Sequence, residues 1–219
     1  MPKRALLAVC AIAATTLLAP PAVAAGPSAD QLRRAASCAK QISNGKFSED
    51  SGGARTIPVC STGSAVHWKS DFDIDCDGQV TAQCNKNTDP WFQPETHWQQ
   101  SDGKHLNSAA LPFIVVPSAN STWNFNNHNI TGGTVAAVVY GNRVAYAVVG
   151  DSGPVNMIGE GSYKLAQQLG IDPNPKTGGV SGRVVDFILF PGVKASPIED
   201  NRKAVTLGES AANRFVGNG

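Results

Sequence analysis

The chain has 219 residues, with 18 Lys+Arg against 17 Asp+Glu, so its overall charge names no preferred partner. Apolar residues make up 42% and charged residues 16%, a balance that excludes an intrinsically disordered chain. The first 25 residues then shift the charge. Lys3 and Arg4 precede an Ala/Leu-rich stretch that closes on small residues at Ala22, Ala24 and Ala25, the three parts of a secretory signal peptide. Pro20-Pro21 breaks the stretch before it could span a bilayer. Cleavage near Ala24 or Ala25 leaves 16 cations and 17 anions, a net charge of −1 that excludes a basic nucleic-acid binder. Residues 26–219 are expected to form a single secreted domain, monomeric and without membrane partners.

Four cysteines remain after the leader: Cys38, Cys60, Cys76 and Cys84. An even number in an oxidising compartment predicts two disulfides, with three pairings open. A zinc site is disfavoured because no C-x-x-C pair is present.

In chain order, Ser28 and Asp30 open a short helix whose partial apolar face runs from Leu32 to Ile42, before Asn44, Gly45, Gly52 and Gly53 interrupt it. Residues 26–70 otherwise read as loop-rich scaffolding. Strand signals begin at Pro112, with the apolar run Phe113–Val116. Thr134–Val149 holds two β-rich segments around Gly141-Asn142, a hairpin pattern. Between these, Asn120–Asn129 reads as a polar loop; its triplets at Asn120 and Asn129 are N-glycosylation acceptors in a host with that machinery. Ser162 caps a helix ending at Gly170. A last strand, Arg183–Phe190, is expected to stop at Pro191-Gly192. Short strands without a βαβ alternation predict a mainly β barrel with short helices.

Acidic residues are unevenly placed. Asp71, Asp73, Asp75, Asp77, Asp89, Glu95 and Asp102 fall within 32 residues that hold one cation, Lys86, giving a net −6 against +5 for the rest of the processed chain. Asp73-Ile-Asp75-Cys-Asp77-Gly78 matches the start of a calcium loop, but the twelfth position is Cys84 where a bidentate Glu belongs. A looser calcium site remains open, and the other reading is an anionic wall that concentrates a cationic ligand without a metal. Trp91 and Trp98 in this stretch are open to sugar stacking or core packing, whereas His67, His97, His105 and His128 read as packing or surface residues.

A second constellation is Val149-Gly150-Asp151-Ser152-Gly153-Pro154 followed by Ile158-Gly159-Glu160-Gly161-Ser162. Asp151 ends a buried strand and Glu160 precedes a helix cap, so both carboxyls are expected near one another. The flanking glycines are expected to let a bulky substrate approach the backbone. Glycosidic bond cleavage needs such a pair, one protonated acid and one carboxylate.

The segments D-F-D-I-D-C-D-G at 71–78, Q-C-N-K-N-T-D-P-W-F-Q-P-E-T at 83–96 and V-G-D-S-G-P-V-N-M-I-G-E-G-S at 149–162 resemble the glycoside hydrolase family 75 chitosanases of fungi and actinobacteria. The resemblance runs from about Phe47 to Phe190. It implies an Asp and a Glu nine residues apart as essential acids, here Asp151 and Glu160, and an inverting outcome. D-S-G-P followed by I-G-E-G-S-Y-K-L-A-Q-Q-L-G also looks like the signature of double-psi β-barrels, shared by expansins, rare-lipoprotein-A-like transglycosylases and family 45 cellulases. It implies a six-stranded double-psi-like β-barrel with Glu160 at the general-acid position.

The expectation is a secreted endo-chitosanase that acts on the cationic polysaccharide chitosan and needs neither cofactor nor metal. Asp151 and Glu160 are the expected catalytic pair, with Asp73, Asp75, Asp77 and Asp89 binding substrate. Two alternatives remain: a non-catalytic expansin-like carbohydrate-binding protein, and a hydrolase of another wall polymer such as peptidoglycan.

Overall fold

The computed structural model describes residues 26–217; the expected leader and Cys10 lie outside the described residues. Helix α1, Ala29–Ala35, opens with a closed capping box: Ser28 accepts from the Gln31 backbone N–H, and the Gln31 side chain accepts from the Ser28 N–H. The helix is shorter than its apolar pattern to Ile42 suggests. Lys40–Gln41 (β1) is taken instead by antiparallel pairing with Cys60–Ser61 (β2), and the Cys38–Cys60 disulfide fixes this turn of chain.

Six longer strands close a ring. Val66–Asp75 (β3) pairs with Glu160–Ser162 (β7); then follow Phe113–Pro117 (β4), Arg143–Gly153 (β6), Thr134–Tyr140 (β5) and Val180–Lys194 (β8), which returns to β3. The mainly β, six-stranded closed barrel is therefore as expected. β3–β7 and β4–β6 are parallel pairs, and the other neighbours in the ring are antiparallel.

Two strand assignments need correction. Strand structure begins with the short β1 at Lys40 and the barrel strands with β3 at Val66, all well before Pro112. β3 is so rich in polar residues that it reads as loop, yet Trp68 and Phe72 point inward and carry its packing. β8 also continues through Pro191-Gly192 to Lys194. The β5–β8 register shifts between Thr134 and Ala136, and Gly192 has φ 77°, so the dipeptide is accommodated in a bulge that needs no regular ladder bond.

Inside the barrel, the stacked rings of Trp68 and Phe187 lie 5.4 Å apart, and small residues on facing strands, Ala136, Ala145 and Ala147, make room for them. Alternate residues of β5, namely Val135, Ala137 and Val139, face outward beneath a second apolar layer. That layer comes from α1 and from a helix the sequence reading missed, Asn201–Gly217 (α3), which buries Ala204, Ala211, Ala212 and Phe215. Tyr163–Leu169 (α2) has the expected ends, with Ser162 accepting from the Leu165 N–H and Gly170 in the left-handed region. Asn120–Asn129 is a loop with one 3-10 turn, and Trp123 and Phe125 are buried beneath it.

Asp186 of β8 collects much of the positive charge that lies near the barrel. Its buried carboxylate meets His67 Nε2 at 3.0 Å, Arg33 Nε at 3.3 Å and Lys69 Nζ at 3.5 Å, joining α1 to β3 and β8. These partners hold Asp186 below the usual carboxylate range despite burial. Asp186→Ala is predicted to cost about 2 kcal/mol, because it leaves the buried His67 ring without its hydrogen-bond partner and removes the counter-charge of half-buried Arg33. Urea unfolding checks this, and a loss below about 1 kcal/mol contradicts it.

Candidate active site

β3 carries acids at its C-terminal end, and strand pairing sets what they face. Asp73 is the direct partner of Glu160 across the parallel β3–β7 pair, and Asp75 is the partner of Ser162. Phe72 points into the barrel core, so alternation turns Asp73 and Asp75 away from it. β7 touches β4 through Ile114 and Gly161, and β4 meets β6 where Val115 faces Asp151. A bulge between Ile114 and Val115 brings Asp151 to this edge. Sheet register thus gathers acids from three parts of the sequence.

The calcium-loop reading fails on this geometry, since Asp73 and Asp75 are strand residues rather than the start of a wrapped loop. After Asp75 the chain turns through the Cys76–Cys84 disulfide, which packs against Phe92 and Tyr163. Asp77 Oδ1 accepts from the Gln93 N–H at 2.7 Å, and Asp89 Oδ1 from the Trp91 N–H at 2.9 Å. The two bonds fold the 76–96 loop beside the strand ends.

Asp75, Asp77, Asp89, Trp91, Asp151 and Glu160 line one pocket of about 120 Å³. It adjoins a larger cleft of about 550 Å³, bounded by Asp77, Gln93, Glu95, His97 and Asp151. Every residue named as a site candidate from sequence lines this pocket except Asp73, which pairs with Glu160 behind it. Asp102 does not join the cluster; it pairs with Lys104 at the surface. Trp91 is 83% exposed at the rim, whereas Trp98 packs edge-on to Phe125 and against Gly132.

The flanking glycines have a different task from the one expected of them. A Cβ at Gly150 would meet Phe113, one at Gly161 would meet Phe72, and one at Gly153 would come within 2.7 Å of Glu160 Oε2. They make room for the protein's own side chains, and Gly153 does so for the Glu160 carboxyl itself.

Among the described residues no lysine or arginine pairs with any acid of this pocket. Burial therefore dominates their protonation. Glu160 is partly covered as a residue, but its carboxyl is desolvated and faces Asp73, so its pKa is pushed up to about 7; it accepts no hydrogen bond from a described residue. Asp75 is raised well above the usual range by burial and by Asp151. Asp77 is raised to about 7 by burial, opposed by the Gln93 N–H. Asp151 is also raised by burial, but its Oδ1 accepts from the backbone N–H groups of His97 and Ser152, both at 2.7 Å, and these favour the anion. One oxygen from each of Asp75, Asp77 and Asp151 lies within 4.8 Å of the others, close enough to share a proton or to hold a cation.

Residues 72–216 match the family described as fungal chitosanase of glycosyl hydrolase group 75. The chain belongs to that family. Endo-chitosanase C of Aspergillus oryzae is 32% identical over 140 residues, covering 62% of this chain and 34% of that protein. An endo-chitosanase of the same species is 24% identical over 173 residues, covering 71% of this chain and 70% of that protein. The match spans about a third of the first relative's length. Both Asp151 and Glu160 fall inside the matched residues.

Sequence reasoning missed three contributors. The backbone N–H of His97 was invisible because its role is not in the side chain. Glu49 and Asp50 precede the acidic stretch, yet act electrostatically on Asp73.

These shifts predict a pH-dependent stability. A carboxyl with a raised pKa holds its proton more tightly in the folded chain, so its contribution is full below about 4 and is lost as pH rises through about 7. The melting midpoint should therefore fall between these values. Glu160→Gln should make that fall shallower by roughly 2–4 °C, equivalent to ~1 kcal/mol at this chain length. An unchanged slope contradicts the assignment.

Proposed function

We propose that the chain is a secreted endo-chitosanase that hydrolyses β-1,4 linkages between glucosamine units, with Glu160 as general acid and Asp151 as general base. One observation carries the assignment of roles. Glu160 sits desolvated beside Asp73 with no hydrogen-bond donor among the described residues, while Asp151 receives two backbone N–H groups. Environments that push two carboxyls apart in this way separate the acid from the base. Glu160 then delivers its proton to the glycosidic oxygen as the bond to the anomeric carbon breaks. Asp151 takes a proton from the water that attacks that carbon from the opposite face.

Two strand spacings separate the backbones that carry the two acids, about 9–10 Å in a regular sheet. Inversion, with a water held between the two acids, is the proposed outcome, for which carboxyl separations of about 6.5–9.5 Å are usual. Glucosamine ammonium groups supply the positive charge that the pocket lacks, and Asp73, Asp75, Asp77 and Asp89 are the proposed partners. Asp89 has one oxygen engaged by Trp91, so it also holds the rim. Trp91 offers an exposed face on which a sugar ring can stack. All these residues come from one chain, so a monomer suffices, and the two disulfides suit an extracellular single domain.

Reducing-end release from chitosan tests the assignment, with chitin and peptidoglycan as control substrates. Glu160→Gln and Asp151→Asn should each lower kcat by about 10²–10⁴-fold. Near wild-type turnover in either variant removes that residue from the mechanism, and release from peptidoglycan alone removes the substrate. Trp91→Ala should raise KM about 3–10-fold and change kcat little; an unchanged KM contradicts the stacking role.

A further inference from the structure

Ser70 and Asp71 lie on β3 just before the family-matched residues, and no role in binding or catalysis has been given to either. Both are buried, with Ser70 0% and Asp71 4% exposed. Ser70 Oγ is 2.6 Å from Asp71 Oδ1 and 2.7 Å from the carbonyl oxygen of Ile158. A hydroxyl has only one proton to share between them. The Ile158 carbonyl can only accept, and Ser70 is its hydrogen-bond donor among the described residues.

Two arrangements are conceivable. If Ser70 donates to an ionised Asp71, the carbonyl faces an oxygen lone pair at 2.7 Å and goes unsatisfied, which buried carbonyls avoid. If Ser70 donates to Ile158, its contact with Asp71 is attractive only when Asp71 carries a proton and donates to Ser70 Oγ. The second satisfies both contacts.

The surroundings favour the same protonation. One carboxyl oxygen from each of Asp50, Asp71 and Asp73 lies within 4.8 Å of the others. Glu49 adds negative charge from the same loop as Asp50, and Glu160 feels Asp71 from β7. On the β8 side, the residues paired with Ser70 and Phe72 are Val185 and Val180, which carry no charge. Burial, followed by Asp73, Glu49 and Asp50, raises Asp71 to about 7 against the opposing effect of the Ser70 hydroxyl beside it.

These two side chains also press on the peptide that leads into Glu160. Gly159 has φ 132°, and a Cβ there would collide with both Asp71 Oδ1 and Ser70 Oγ. The Gly159 carbonyl accepts from the Asp73 N–H at 2.9 Å. Consecutive carbonyls, those of Ile158 and Gly159, are thus pinned to β3 in the two residues that precede the acid.

We propose that Asp71 is a positioning residue: as a neutral acid it donates to Ser70, Ser70 donates to the Ile158 carbonyl, and this chain fixes the backbone that aims Glu160 into the cleft. The proposal rests on the reading of Glu160 as general acid. It predicts that losing the chain lowers kcat and leaves KM nearly unchanged, because no group that holds the substrate is disturbed.

The test compares Asp71→Asn, Asp71→Ala and Ser70→Ala on chitosan, with Glu160→Gln alongside. An amide N–H can replace the carboxyl proton, so Asp71→Asn should keep kcat within about threefold of wild type, whereas the two alanine variants should lose about 10- to 100-fold with KM within about twofold. Equal damage from Asn and Ala overturns the proposal. Carboxyl ¹³C shifts of aspartate-labelled wild-type protein supply a readout independent of any variant's folding. At pH about 5.5, where ordinary aspartates are ionised, Asp71 should still be protonated; an ionised Asp71 overturns the proposal. A melting midpoint raised by calcium in wild type but not in Asp71→Asn would make the Asp50–Asp71–Asp73 group a cation site and overturn it as well. Full activity in Glu160→Gln would end the general-acid reading alone, since the protonation of Asp71 is measured separately.

Discussion

Desolvation of closely grouped carboxyls, with their mutual repulsion added to it, is the constraint on which the site depends. The β3–β7 pair sets Asp73 directly opposite Glu160, and β6 brings Asp151 to the same edge. No described lysine or arginine relieves this crowding. The chain meets the cost by retaining protons on some carboxyls and by giving selected ones backbone donors. The same burial acts differently on the two acids of the proposed pair: Glu160 has no donor among the described residues to oppose it, whereas Asp151 has two that favour the anion.

The barrel keeps its opposite charges apart. Along β3, His67 and Lys69 turn to Asp186, while Asp71, Asp73 and Asp75 occupy the other end. A near-neutral chain is therefore locally polarised, and the anionic end is the one left open to a ligand. A polymer that carries an ammonium group on each sugar offers repeated partners for such a cleft. An acetylated or neutral polymer offers none, and its binding would leave the repulsion in place.

Much of the local structure was legible because it depends on neighbouring residues. Ser162 and Gly170 bound α2 as capping chemistry requires, and Gly141-Asn142 turns the β5–β6 hairpin. The barrel class followed from short strands without βαβ alternation. β3 was not legible, because six of its ten residues are polar and its stability comes from Trp68 and Phe72 pairing across to β8. α3 was missed for a related reason: its buried face is mostly alanine, which gives little hydrophobic contrast. In the site, Asp151 and Glu160 were marked by glycines, but the reason for the glycines was misread. They admit Phe113, Phe72 and Glu160 rather than substrate. Asp50 and Glu49 join the acids only through folding, so no sequence window contained them.

The central claim is that a cationic sugar chain replaces the counter-charges this cleft lacks. Calorimetric titration of Glu160→Gln with glucosamine oligomers, at about pH 6 in buffers of differing ionisation enthalpy, tests it most directly. Ammonium groups entering the cleft should lower the raised carboxyl pKa values, so binding should release protons from the protein and weaken with salt, and fully N-acetylated oligomers should bind far less. Equal affinity for the acetylated chains, with no proton release and no salt dependence, would contradict the account.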